Sequence, residues 1–364
     1  MPSSKKITAL QMYYIITLSG GIANHVLLIP ILLQIAKRDA WFGAVAGLVP
    51  LCAWSLIILW IVNRSEAGTL SEWVKKSAGR IVHLLVVAGA ILLFFVSSVV
   101  SLRDIVTWTH VSYLPATPET WIAATFVLMC FFAAASGIRT IAITSGILLP
   151  CVVFLGLLVM TANFQYKDYS LLTPLFTHGY TPSMMAAVYS CRGGGEMLTV
   201  LFMRQHVSSK IKMPSVLLLT AFLTLLTVGP LTGAIAIYGP FEAADLRYPA
   251  FEQWRMVTFG KYISHLDFFS IFQWVAGAFI RISILQFMIL DLIGLKKGRW
   301  SNIVSAILCI LLVVLVKAPY SDMIFMNWLK NWYFPGTIAL SVMLTLLILI
   351  AVLRNGSRKE KQAT

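Results

Sequence analysis

The sequence predicts an all-α integral membrane protein whose chain crosses the bilayer ten times. Apolar residues make up 59% of the 364 residues and charged residues 12%, whereas roughly a quarter of the residues in a soluble domain are charged. The apolar residues form uncharged runs, and most of these approach the roughly 20 residues that a helix needs to cross a bilayer. Helices are predicted because the runs lack the alternating pattern of membrane barrel strands.

The predicted spans follow one another through mostly short loops. In order they cover 7–36, 40–63, 81–106, 120–138, 140–163, 182–203, 214–238, 267–291, 300–317 and 335–353. The eighth is interrupted by Arg281, which we interpret as a buried charge within a helix. We predict one membrane domain over 1–354, a basic cytoplasmic tail over 355–364, and an amphipathic lid over the outer face within loop 239–266.

The net charge of +14 arises from basic residues in the loops and does not indicate a nucleic-acid surface. With the N-terminus inside, the cytoplasmic loops carry about twice as many Lys and Arg residues as the outer loops. This asymmetry predicts that both termini are cytoplasmic. The expected surroundings of the chain are therefore membrane lipid, with no nucleic-acid partner.

Sequence patterns typical of catalysis or of metal binding are absent. The five cysteines have no CxxC spacing, and the six histidines form no HExxH motif. No GxSxG is present, and the glycine run at 193–195 is not followed by GK[ST], as a phosphate-binding loop would be. We therefore predict a protein that is not an enzyme and that has no catalytic residue, no metal site and no cofactor.

Two of the spans carry glycine-rich motifs at about the same depth. The first span contains Ser19-Gly20-Gly21-Ile22-Ala23-Asn24-His25, and the sixth contains Ser190-Cys191-Arg192-Gly193-Gly194-Gly195-Glu196. Each glycine costs roughly 1 kcal/mol against alanine in a helix interior. We therefore predict that both helices are broken, as in transporters built from two inverted repeats, here at about 7–163 and 182–353.

A broken helix exposes backbone groups that can recognise a small molecule. Free N–H groups at the start of the second half bind an anion, and free C=O groups at the end of the first half bind a cation. An amino acid carries both charges. The candidate ligand-binding residues of the two motifs are Gly20, Gly21, Ile22, Asn24, Gly193, Gly194 and Gly195. The alternative is that these small residues only allow close helix packing.

Three charged residues in the spans have both structural and functional interpretations. Glu196 either offsets the positive end of the second half-helix or binds a ligand ammonium or a proton. Arg192, four residues earlier, is placed to pair with Glu196. Arg281 needs a partner in the membrane. It pairs with Glu196, Asp104 or another acid, or it replaces the cation that sodium-coupled proteins of this architecture hold between the first and eighth spans.

Further candidate ligand-binding residues lie on the third and eighth spans. Ser97 and Ser101 share one face of the third span and are able to line a cavity, although serines in membrane helices commonly bond to their own backbone carbonyls. Phe272 on the eighth span is a candidate apolar wall, with lipid contact as the alternative.

Three groups of residues carry a resemblance to a known family. They are Lys6-Ile7-Thr8 to Gln11, then Gly193 to Glu196, and finally Leu266-Asp267 followed by Phe269, Trp274, Phe279 and Arg281. Over essentially its full length the chain resembles the B subunit of the nutrient germinant receptors of endospore-forming bacteria. This spore germination protein family belongs to the amino acid, polyamine and organocation transporter superfamily.

The resemblance implies a function as well as a fold. It implies a protein of the bacterial inner spore membrane, with its termini on the core side, that binds a germinant such as L-alanine, another amino acid or a sugar. It also implies a complex with an A subunit and a lipoprotein C subunit. Asp267 joins Arg192 and Arg281 as a candidate for charge-dependent gating. Two alternatives remain: an amino-acid permease of the same superfamily, and a scaffold subunit that binds no ligand.

Overall fold

The computed structural model describes residues 6–65, 68–258, 265–295, 298–318 and 321–363, with side chains as far as residue 355. Residues 1–5 of the predicted membrane domain, 259–264 of the predicted lid and Thr364 of the predicted tail lie outside the described residues. Within these ranges the chain is helical apart from turns, loops and an isolated parallel bridge between Ile7 and Val207.

The helices follow the predicted spans closely. In the first half they are α1 (Ala9–Ile22), α2 (Ile29–Ala36), α3 (Ala40–Ala46), α4 (Leu48–Arg64), α5 (Leu70–Ala78), α6 (Arg80–Ser112), α7 (Glu119–Ser136) and α8 (Ile138–Ala162). In the second half they are α9 (Thr181–Ser190), α10 (Gly194–Met203), α11 (Met213–Tyr238), α12 (Pro240–Asp245), α13 (Pro249–Arg255), α14 (Phe268–Ile293), α15 (Arg299–Val316), α16 (Asp322–Trp328) and α17 (Phe334–Ala363).

Eight helical stretches of the described chain are long and apolar enough to cross a membrane. The first, Ala9–Arg64, has 56 residues and covers the first two predicted spans. It is divided at Lys37, whose φ of 47° lies in the left-handed region. The predicted sixth span corresponds to α9 and α10, which are too short to be counted alone. The multi-pass helical class is thus confirmed, while the ten spans and the inverted repeats remain predictions.

The two predicted helix breaks are changes of helical pitch, without unwound backbone. Between α1 and α2 the chain forms a π-helical turn at Ala23–Leu28, and between α9 and α10 it forms a 3₁₀ turn at Cys191–Gly193. The expectation of freely exposed N–H and C=O groups at these points was therefore wrong. Any ligand recognition here depends more on side chains than the sequence suggested.

Proline explains why the first irregularity follows the glycines. The π turn ends two residues before Pro30, which has no N–H and whose ring clashes with the carbonyl of Val26 in a regular helix. A π turn accommodates such a mismatch. The same arrangement recurs where a π turn at Leu329–Tyr333 precedes Pro335. Gly20 and Gly21 therefore stay within α1.

Glycines hold the helices around α1 unusually close together. A Cβ atom on Gly20 would lie 3.1 Å from the Leu223 side chain and 3.4 Å from Cγ of Glu196. A Cβ atom on Gly277 would lie 3.1 Å from Cβ of Ile22. The close-packing interpretation thus applies here, and it brings α10 and α14 against α1 at the level of the charged residues.

Candidate functional site

A buried ion pair joins α10 to α14. Arg281 Nη1 donates to Glu196 Oε1 over 2.7 Å, and the two residues are only 2% and 5% exposed. Asp104, the other acid considered for Arg281, pairs elsewhere. Because intramembrane charges are costly and usually mark a site or a pathway, we define the charged site as Arg192, Glu196 and Arg281 with their polar partners.

Arg281 has close partners on three other helices. Its Nη1 also donates to the Ser19 carbonyl on α1 over 2.9 Å, and its Nε donates to Ser101 Oγ on α6 over 3.0 Å. The guanidinium therefore ties α1, α6, α10 and α14 together. It also places a fixed positive charge between the first and eighth predicted spans, beside a backbone carbonyl.

Arg192 is buried as deeply but is held less tightly. Its Nη1 lies 3.5 Å from Asn24 Oδ1 and 3.8 Å from Glu196 Oε1, and its Nη2 lies 3.4 Å from the Tyr333 hydroxyl. Its guanidinium stands over the rings of Tyr333 and Phe334. Its Nε is buried and has no hydrogen-bond partner among the described residues. The Nε–H donor of Arg192 is thus unused, whereas the Nε–H of Arg281 donates to Ser101.

Two small cavities flank the 3₁₀ turn of Cys191–Gly193. One is lined by polar and apolar residues that include Asn24, Ser190, Gly193 and Thr220. The other is lined by Ser97, Arg192, Glu196, Arg281 and neighbours. Each has a volume of about 20 Å³, which is enough for about one water molecule. The structure therefore shows the charged site closed around its own side chains.

Most of the candidate residues come together at this place. They are Gly20, Asn24, Ser97, Ser101, Arg192, Gly193, Gly194, Gly195, Glu196 and Arg281. The Ser101 hydroxyl bonds to its own backbone at the Ser97 carbonyl, as serines in membrane helices commonly do, and it also accepts from Arg281. A Cβ atom on Gly194 would overlap the ring of Trp54, so its close approach is to α4.

Four other candidates lie apart from the charged site. Phe272 is 38% exposed in an apolar groove with Pro150 and Phe154. Nine helical positions separate it from Arg281, a rotation of about 180° and a rise of about 13 Å. Asp267 precedes α14 and accepts a hydrogen bond from the Tyr113 hydroxyl at its carbonyl. Gly21 faces Leu226, and Ile22 packs against Gly277.

Two residues of the site were missed by the sequence analysis. Tyr333 contacts Arg192 and donates to Ser97 Oγ over 3.3 Å, and Ser19 supplies both its carbonyl and its hydroxyl to Arg281. The signal for Tyr333 was Pro335, because a proline two residues on marks the π turn. Such turns occur frequently at functional sites.

A second ion cluster closes the end of the bundle that carries α12 and α13, two short helices of the predicted lid. Between them, Arg247 donates to Asp104 Oδ1 on α6 over 2.8 Å and to Asp322 Oδ2 at the start of α16 over 2.7 Å. Asp104 is 2% exposed. Arg247 therefore fastens the lid segment to two long helical stretches, one turn of α6 away from Ser101.

Replacing Arg247 by Gln is expected to lower the free energy of unfolding by about 3 kcal/mol, because the buried Asp104 then loses its counterion. The measurement is thermal unfolding of the purified protein in detergent. The matched control is Arg255→Gln on α13, whose pair with Glu252 is exposed and contributes about 1 kcal/mol at most. Equal losses in both variants would contradict the importance of this ion cluster.

Contacts between distant segments also join the opposite end of the bundle. Ile7 N donates to the His206 carbonyl over 2.9 Å, and Ser208 N donates to the Ile7 carbonyl over 2.9 Å. Thr8 and Gln11 form a capping box at the start of α1. His206 lies 3.0 Å from Asp291 at the end of α14. The segment from Ile7 to Gln11 thus fastens α1 to the chain that follows α10.

Comparison with known sequences identifies the relatives of this chain. The family model for spore germination proteins matches residues 6–321. The spore germination protein XB of Bacillus anthracis is 35% identical over 341 residues, which span 94% of this chain and 96% of that protein.

Solved structures with the same fold are transporters of the LeuT fold. MhsT in complex with L-phenylalanine has a TM-score of 0.64 at 12% identity, over 96% of this chain and 99% of that one. A substrate-bound, outward-open Na⁺-coupled sialic acid symporter has a TM-score of 0.61 at 10% identity, over 96% of this chain and 79% of that one. At such identities the similarity establishes the fold alone.

Proposed function

The chain belongs to the spore germination protein family, and from this premise we propose that it is the germinant-sensing membrane subunit of a spore germination receptor. In this proposal it binds a small nutrient, an amino acid or a sugar, at the charged site. It then signals to an A subunit and a lipoprotein C subunit in the inner spore membrane. The chain crosses that membrane ten times, in two inverted repeats, with both termini on the core side.

The observation that carries this proposal is the buried ion pair between Glu196 and Arg281, within a charged site that adjoins both helical irregularities. Burying charged side chains in a membrane helix bundle is costly, so the presence of this ion pair favours a functional site. The solved proteins of the same fold include MhsT in complex with L-phenylalanine and a substrate-bound sialic acid symporter. The same architecture is therefore suited to a small nutrient.

The helix α6 offers a path from the site to the end of the bundle. Ser101 contacts Arg281, and Asp104, three positions further along, contacts Arg247. Three positions correspond to a rise of about 4.5 Å. A ligand that competes for Arg281 or Glu196 favours a second arrangement of these helices and shifts the population toward it. In our proposal this shift reaches the partner subunits and releases ions.

Arg281 also accounts for how such a protein works without a coupling ion. Its guanidinium stands between α1 and α14, 2.9 Å from the Ser19 carbonyl, where sodium-coupled proteins of this architecture hold a cation. We propose that this fixed charge replaces the ion. Because the Arg281 guanidinium is part of the chain and does not cross the membrane, no ion gradient can drive uptake through this site. The fixed charge therefore favours sensing over concentrative transport.

The second candidate function is amino-acid transport, which the fold itself favours. Uptake of radiolabelled amino acids into vesicles that hold this chain alone separates the two functions. We expect no accumulation above empty vesicles, because the proposed site has a fixed internal cation in place of a coupling ion. Robust concentrative uptake would overturn the sensor proposal.

A deletion strain provides the complementary measurement. Spores without this chain are expected to lose their germination response to one nutrient class in a panel of amino acids and sugars, while responses through other receptors persist. For the uptake measurement, the positive control is sialic acid uptake, driven by a Na⁺ gradient, into vesicles that hold the Na⁺-coupled sialic acid symporter. An unchanged response to every nutrient would contradict the receptor function.

A further inference from the structure

The charged site carries an excess of positive charge. Arg192, Glu196 and Arg281 line the same cavity, and the other residues that line it are uncharged. Two guanidiniums and one carboxylate leave a net charge of +1 among residues that are each at most 5% exposed. A charge buried in a membrane helix bundle is normally paired. This one is paired only in part.

Of the two guanidiniums, that of Arg192 is the more weakly paired. Charge-assisted hydrogen bonds of Arg are about 2.7–2.9 Å long, and the contacts of Arg281 with Glu196 and with Ser19 O lie in that range, at 2.7 and 2.9 Å. The closest contact of Arg192 is 3.4 Å, and its Nε has no partner among the described residues. Its side chain is 4% exposed, so water does not supply the missing bonds in bulk.

The same geometry leaves little provision for a ligand ammonium group. The acceptors suited to it are the Glu196 carboxylate and the Ser19 carbonyl, and Arg281 already donates to Oε1 of that carboxylate and to that carbonyl. The backbone stays helical at both glycine motifs, so unwound carbonyls are not provided there. The site thus has an unused donor for a carboxylate, whereas an ammonium would have to share the single carboxylate of the site with Arg281.

We propose that the nutrient of this site is a small carboxylate of net charge −1, a hydroxy acid or an acidic amino acid, and that Arg192 binds its carboxylate. This rests on the proposed function and narrows it, because it excludes a neutral sugar and ranks a zwitterion such as L-alanine below the monoanions. The planar guanidinium of Arg matches a carboxylate with two parallel hydrogen bonds. Asn24 and Tyr333 lie beside it to complete the binding.

The test is ligand binding to the full-length chain in nanodiscs at pH 7, by calorimetry and by thermal stabilisation. The probes are L-lactate, L-aspartate and L-glutamate as monoanions, L-alanine as a zwitterion and D-glucose as a neutral molecule, each with and without chloride. We expect the tightest binding from one of the monoanions. Arg192→Gln is expected to weaken it about 10- to 100-fold, because a charged hydrogen bond is worth about 1.5–3 kcal/mol.

The matched control is Arg255→Gln, an exposed arginine far from the site in the chain, which leaves binding unchanged. Arg192→Lys keeps the charge and loses the two-pronged geometry, so it is expected to weaken binding about tenfold. If the Arg192→Gln protein is not produced in the membrane, the Arg192→Lys protein tests whether Arg192 binds the carboxylate.

Four results would overturn the proposal: tighter binding of L-alanine or D-glucose, equal binding of the monoanion to the Arg192 variants, binding of chloride alone, and binding of none of the monoanions. The first three leave the sensor function standing. The sensor function itself is decided separately by the uptake and deletion experiments. Comparing the affinity for lactate with the affinities for L-aspartate and L-glutamate shows whether the ligand is a hydroxy acid or an acidic amino acid.

Discussion

Spores that carry Gly194→Ala are expected to be far less sensitive to the nutrient. The germinant concentration that gives a half-maximal response is expected to rise about tenfold or more. A Cβ atom on Gly194 would overlap the ring of Trp54, which is fixed by a 3.0 Å hydrogen bond from its Nε1 to Thr345 on α17. Relieving the overlap moves α10, and Glu196 with it. Overpacking of this kind costs about 1–3 kcal/mol.

Gly193→Ala is the matched control for this substitution. A Cβ atom on Gly193 would be 3.5 Å from Leu51, an ordinary van der Waals distance. Its dose response is therefore expected to stay within about twofold of the wild type. The measurement is the germination rate against nutrient concentration, with the amount of protein in each spore membrane determined by immunoblot. A normal response from Gly194→Ala spores at normal protein levels would contradict a role for this helix junction.

Glu196→Gln is expected to have the largest effect on stability. It removes the counterion of Arg281 and leaves two guanidiniums in a site whose side chains are at most 7% exposed. Loss of one partner of a buried ion pair costs about 3–5 kcal/mol. Thermal unfolding in detergent measures this loss, and we expect little protein in the membrane of such spores.

A second substitution separates the charge from the shape of this site. Arg192→Gln in the Glu196→Gln background restores the original net charge of +1, so we expect it to recover part of the lost stability. The control is Glu252→Gln, whose partner Arg255 is 61% exposed, with an expected cost of at most about 1 kcal/mol. A Glu196→Gln protein as stable as the wild type would contradict the claim that the ion pair with Arg281 stabilises the fold.

The multi-pass helical class was predictable from the sequence because most of the predicted spans are uncharged apolar runs of nearly the length that a bilayer requires. The sequence also indicated that Glu196 belongs to the site. An acid directly after three glycines in an apolar run does not contribute to helix packing alone. The ion pair with Arg281 was one of the partners considered, and the structure selects it over the one with Asp104.

Other features depend on contacts between distant segments and leave no local pattern. Tyr333 reaches Arg192 from the π turn before α17, 141 positions along the chain. Phe272 was placed at the site because it belongs to the same helix as Arg281, yet the helical period turns it to the opposite face. The helix irregularity was assigned to Gly20 and Gly21, whereas Pro30 sets it one turn later.

The most direct test of the charged site is equilibrium binding of the nutrient that germinates the parent spores. It is measured on membranes that hold the wild type, Gly193→Ala or Gly194→Ala. We predict saturable binding of similar affinity to the wild type and to Gly193→Ala, and binding about tenfold weaker or undetectable with Gly194→Ala. Equal affinity in all three proteins would contradict the account, because the nutrient would then bind elsewhere.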